Sequence, residues 1–137
     1  MFKRPNTLTG RYIIKNALNA DQILQADDLP LTWVGTPEWG GKTSGVYVRG
    51  MTGAERDSYE GKVSGMESGQ AGKMNYANMR ARLVALCVCD ESGSRVFTEE
   101  QVESLGAKSG SVLDRIFDMA RTASGMGEDA IKNSAKN

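Results

Sequence analysis

Residues 35–45, GTPEWGGKTSG, contain the stretch that comes nearest to a phosphate site. A phosphate loop has the form G-x-x-x-x-G-K-[ST] between a strand and a helix, so that backbone N–H groups cradle the oxygens and the lysine reaches the outer phosphates. Gly41, Lys42 and Thr43 match its end. The first glycine belongs at position 36, which is threonine, and Gly35 stands one place early. Pro37 has no N–H to give. Trp39 is bulky where backbone must approach oxygen, and the strand-like VYVRG follows where a helix is required. The glycines read as a turn joining two strands. Cys87 and Cys89 offer two soft metal ligands, but the sequence has no other cysteine and no histidine to complete a tetrahedral site. They read as reduced, buried thiols. Residues 90–101, DESGSRVFTEEQ, have the outline of a calcium loop. Its sixth position, normally glycine, is Arg95, and its twelfth, normally a bidentate glutamate, is Gln101. The adjacent pairs Glu99–Glu100 and Asp27–Asp28 point apart, which does not suit acid–base work. With no histidine, the commonest general base and every Ser-His or Cys-His pair are also missing. The sequence predicts no enzyme and no cofactor.

The elements that carry these residues follow from local signals. Asn19 and Gln22 are spaced as a capping box for a short helix, in which Ile23 and Leu24 supply the apolar contacts and which Pro30 stops. β-Branched and aromatic residues predict strands at 31–38 and 45–50, joined as a hairpin. Thr52 and Glu55 form a second capping box and open a helix near residue 53, with Ala54, Tyr59, Val63 and Met66 as a thin apolar face. SGMESGQAGK is a loop by composition. Tyr76, Met79, Leu83 and Leu86 recur at helical spacing and predict a core helix over 74–88. LVALCVC within it also fits a buried strand. DESGS is a turn and RVFT a short extended piece. Thr98 with Gln101 caps the helix EEQVESL, which Gly106 closes. Ser109 or Ser111 opens a last helix lined by Val112, Ile116, Met119 and Ala123, which Gly125 ends. The expected fold is α+β and mostly α-helical: a small N-terminal β-hairpin or sheet packed on a helical bundle of four or five helices. Residues 1–18 are expected as an N-terminal arm, 19–125 as one globular domain, and 126–137 as a frayed tail.

Composition narrows the partners. Seventeen basic and seventeen acidic residues cancel, so no net field draws a nucleic acid or an anionic membrane. No apolar run reaches the ~18 residues needed to cross a bilayer. Hydrophobic residues make up only 39% of the 137, which predicts a modest core. What remains is interaction surface. Trp33, Trp39 and Tyr47 cluster near the hairpin, either as core or as anchors on a sheet edge. The methionines suit adaptable contacts, with Met79 and Met119 assigned to the core. Apolar residues in weakly patterned segments mark the candidate contacts: Tyr12, Ile13 and Ile14 in the arm, Trp39 and Tyr47 at the hairpin, Met126 and Ile131 near the C-terminus.

Three stretches in series carry a resemblance: ILQADDL; PEWGG followed by VYVRGMTGAERDSYE; and NMRARLVALCVCDESGSRVFTEEQVESLGAKSGSVLDRIFDMARTASGM with a later KNS. Over residues 19–134 the chain resembles the tail assembly chaperones of long-tailed, lambdoid-type bacteriophages (siphoviruses). The resemblance implies a helix-rich protein without enzymatic activity, made in the cytoplasm of the infected host. It implies self-association and sheathing of the tape measure protein until tail tube protein polymerises round it, and absence from the finished virion. It also implies a longer form made by ribosomal frameshift near the KNSAKN ending, whose added domain recruits tail tube protein. The arm MFKRPNTLTGRYIIKNAL lies outside the resemblance. Two other readings stand beside it: a structural tail or head–tail joining protein retained in the virion, and a small nucleotide-binding enzyme built on GGKTS.

Overall fold

The computed structural model describes residues 14–65, 69 and 73–126. Its elements run α1 (Ala20–Gln25), β1 (Thr32–Gly35), α2 (Pro37–Gly40), β2 (Gly45–Val48), α3 (Gly53–Ser64), α4 (Met79–Cys87), β3 (Val88–Cys89), a 3-10 turn (Glu99–Gln101), α5 (Val102–Gly106) and α6 (Gly110–Ala123). The fold is α+β and mostly helical, as expected. The strands form one antiparallel sheet in the order β1-β2-β3, with Trp33 opposite Tyr47 and Tyr47 opposite Cys89.

Helix α4 occupies the centre. Ala81 and every residue from Leu83 to Cys87 are buried. A helical stretch that is apolar all round, as residues 83–87 are, has no solvent face and must be enclosed. Val112, Leu113, Ile116 and Ala120 of α6 belong to the same buried cluster, as do Val102 and Leu105 of α5, Tyr59 of α3, and Val34, Val48 and Val88 of the sheet. Met79 and Met119 pack at its margin. The two readings of LVALCVC each hold for part of it. The helix runs through Cys87, and the β-branched Val88 enters extended backbone at φ −69°, ψ 128°, so helix passes into strand with no loop. The Cys87 carbonyl then accepts the Arg49 N–H at 3.0 Å.

Two boundaries differ most from expectation, and a third settles on one of the two residues offered for it. The core helix starts at Met79 and not at 74, because Asn78 takes a left-handed φ of 53° and the Asn75 carboxamide oxygen accepts the Ala77 N–H at 3.0 Å. That local turn competes with helix, and it leaves Tyr76, expected on the core face, exposed. The first strand stops at Gly35 because Pro37 sits at the first turn of α2, where its fixed φ favours helix. The last helix opens at Ser109, whose hydroxyl accepts the Val112 N–H at 3.4 Å. The capping boxes at Asn19–Gln22 and Thr52–Glu55 form as read. Helix α1 ends at Gln25, five residues before Pro30. Its Ile23 and Leu24 are exposed and do not reach the core. Met66 lies outside the described residues.

Arg49 fastens one corner. Its guanidinium donates to both Glu55 oxygens at 2.8 and 3.1 Å, to the Gly50 carbonyl at 2.9 Å and to the Gly93 carbonyl at 3.1 Å. Glu55 also accepts the Thr52 N–H at 2.9 Å. One ion pair therefore ties the end of β2, the start of α3 and the turn after β3. Burial alone would raise the Glu55 pKa, but the hydrogen bonds from Arg49 and Thr52 outweigh it and hold the carboxyl below its usual range. Beside this corner a Cβ at Gly50 would collide with the Ala123 carbonyl, so the chain passes α6 closely only as glycine. Arg49 is 7% exposed, and removing one partner of such a pair leaves the other charge stranded. Arg49→Ala is expected to cost about 3 kcal/mol in urea unfolding. A loss below about 1 kcal/mol would class the pair with solvated surface bridges.

Candidate functional site

The residues whose types suggested chemistry are occupied in shaping turns. Gly41 has φ 104°, a conformation that glycine adopts without strain. Its carbonyl accepts the Ser44 N–H at 2.9 Å, and the Ser44 carbonyl accepts the Thr36 N–H at 2.9 Å. GGKTS is thus the return turn into β2, and a strand follows it. Asp90 Oδ1 accepts the Ser92 and Ser94 N–H groups at 2.8 and 3.1 Å and the Ser92 hydroxyl at 2.6 Å. The Ser92 hydroxyl first, then these N–H groups, hold its carboxyl below the usual range. This carboxylate closes its own turn. Glu99 pairs with Arg82 at 2.6 Å and with Lys62 at 3.9 Å. Burial pushes the Cys87 thiol up to about 11 against an opposing hydrogen bond with Ser124, which disfavours the nucleophilic thiolate. Among the described residues no three His, Cys, Asp or Glu side chains gather as a metal set.

The surface is different. Trp33 and Tyr47 stand opposite each other on the outer face of the sheet, ring centroids 5.0 Å apart at 70°. Trp33 is 51% exposed, and its ring lies over Gly45, where a Cβ would strike it. Beyond β3, Arg95 bridges to Cys89 and the Val96 N–H bonds to the Val88 carbonyl at 3.2 Å. Among the described residues β1 is therefore the sheet's open edge, the position that invites pairing with another chain.

Trp39, grouped with these aromatics in the sequence, is carried elsewhere by α2. It lies half-buried against the core and lines a largely apolar cleft of about 280 Å³ with Phe97, Gln101, Ser104, Leu105 and Lys108. Arg115 fixes α2 against α6. It donates to both Glu38 oxygens at 2.9 and 2.6 Å and to the Gly35 carbonyl at 3.0 Å. The Arg115 hydrogen bonds, followed by the Glu38 backbone N–H, hold the Glu38 carboxyl at about 2.

The other candidate contacts are scattered. Ile14 is exposed. Met126 packs against the core, with its carbonyl accepting from Arg121 at 3.2 Å. Tyr12, Ile13 and Ile131 lie outside the described residues. The structure adds exposed apolar side chains not on the candidate list: Leu18, Ile23, Leu24, Met74, Tyr76 and Val96. For Ile23 and Leu24 a signal existed. Two aliphatic residues in so short a helix, between aspartates, have too few apolar companions to be core.

Comparison with known proteins adds three findings. A family model described as phage tail assembly chaperone matches residues 30–136. No curated protein matches the chain. A solved structure, the tail assembly chaperone of bacteriophage HK97, shares 19% identity with a TM-score of 0.51, covering 79% of this chain and 92% of that one. At that identity the likeness is one of fold.

The Glu38–Arg115 pair sets a pH dependence. A carboxyl held below its unfolded value contributes stability that is complete above that value and is lost as pH falls through the folded one. The window lies between the ordinary 4.5 and about 2. Glu38→Gln is expected to flatten the fall in urea midpoint across that window. An unchanged acid profile would show that the pair contributes nothing to folding.

Proposed function

The chain belongs to the phage tail assembly chaperone family, and from that premise we propose that it self-associates and coats the tape measure protein during tail assembly. The observation that carries this reading is the distribution of exposed apolar side chains. They fall along the outer surface at Leu18, Leu24, Trp33, Met74, Tyr76 and Val96, and not in one enclosed pocket. A long helical client with apolar stripes needs many modest contacts and no bond chemistry. Repeated copies supply such contacts, because each bound copy raises the effective concentration of the next. The near balance of charge and the buried thiols agree with a protein that works by covering. The proposal also includes action in the host cytoplasm, absence from the mature virion, and a frameshifted longer form that recruits tail tube protein.

Co-expression with a tape measure protein tests the reading. The client is expected to become soluble and to co-purify with several copies of this chain, while mass spectrometry of mature particles finds none. A client that stays insoluble, or abundant copies in purified virions, would point instead to a structural tail or head–tail joining protein.

A further inference from the structure

Helix α1 has six residues, a complete capping box and no buried side chain. An isolated helix below ~12–15 residues is marginal in water and gains its stability from packing. Ala20, Ile23 and Leu24 share one side at spacings of three and four, and Leu24 is 82% exposed. Residues 19–29 carry Asp21, Asp27 and Asp28 and no basic residue. This is an acidic, apolar-faced helix none of whose side chains is buried among the described residues.

The Trp39 cleft is its complement. Its lining is mainly apolar, with one cation, Lys108, and no carboxylate. Glu100 and Glu103 lie on the same segment but not in the lining. The Lys108 ammonium has no ion-pair partner among the described residues. At about 280 Å³ the cleft falls just below the ~300–1,000 Å³ of small-molecule sites and suits one or two aliphatic side chains.

We propose that α1 of one copy docks in the Trp39–Phe97–Leu105 cleft of the next, with Ile23 and Leu24 on the apolar floor and Asp21 facing Lys108. This rests on the self-association reading above and names its contact. Donor and acceptor surfaces differ, so the interface is heterologous. Such contacts repeat head to tail into an open chain or spiral unless the rotation closes a ring. An open array has no length of its own, which suits a client far longer than one copy. The family match begins at residue 30, so the donor helix lies outside the matched span.

Two full-chain variants test it. Leu24→Glu removes the donor and Ser104→Trp fills the acceptor. Both positions are exposed, so circular dichroism should not change. In sedimentation velocity the wild type is expected to form a concentration-dependent series, and each variant alone to associate about tenfold more weakly or worse. An equimolar mixture should form heterodimers and stop there, because one variant keeps an open cleft and the other an intact α1. Lys108→Glu replaces Ser104→Trp if the latter disturbs α5, with the same expectations. If both variants assemble like the wild type, or if the mixture gives no heterodimer, this contact is wrong while self-association stands. A wild type that stays monomeric at high concentration overturns both.

Discussion

The enclosure of α4 is the constraint on which the rest of the structure depends. From Leu83 to Cys87 every residue is buried, so the other elements must close round this part of the helix. Helix α6 supplies the broadest cover, α5 and Tyr59 of α3 add to it, and the inner faces of three short strands complete it. Packing of this kind is dense and unforgiving to changes of volume. Arg49 and Glu55 clamp the corner where β2, α3 and the turn after β3 meet. Function is left to the outside.

That outside is assembled from edges and segments whose apolar side chains are exposed among the described residues. The open edge of β1 carries Trp33 against Tyr47. Helix α1 has no buried side chain, and on α2 Trp39 lines a largely apolar cleft. Each is a small patch, weak when taken singly. The coating role proposed above gives these features a common sense, since repeated copies raise one another's effective concentration.

Much of the fold was legible because its signals are local. The capping boxes at Asn19–Gln22 and Thr52–Glu55 require residues three apart and were read correctly. Glycine and proline marked the turns. What failed was periodicity in places where burial has no preferred side. LVALCVC is apolar throughout, so helix and strand were indistinguishable until tertiary packing divided it at Cys87. Residues 74–78 follow a helical spacing, yet Asn75 and Asn78 turn the backbone otherwise. Pro37 lacks the N–H a phosphate loop needs, and the helical turn it starts shows only in the structure. The surface was harder to read. Trp33, Trp39 and Tyr47 were grouped as neighbours in sequence, while the structure leaves Trp33 with Tyr47 and sends Trp39 to α5. The resemblance, drawn over residues 19–134, identified the family that the match over 30–136 establishes. The difference of eleven residues at its start holds α1.

The central claim is that a sealed core supports a surface whose patches are covered only by other chains. Hydrogen exchange on the protein alone and on its assembled complex with a tape measure segment measures this directly. The account predicts new protection at residues 20–25, along β1 and around Phe97 and Ser104, with α4 already protected in both states. Unchanged exchange at those patches, or complex formation that alters α4 and spares them, would contradict it.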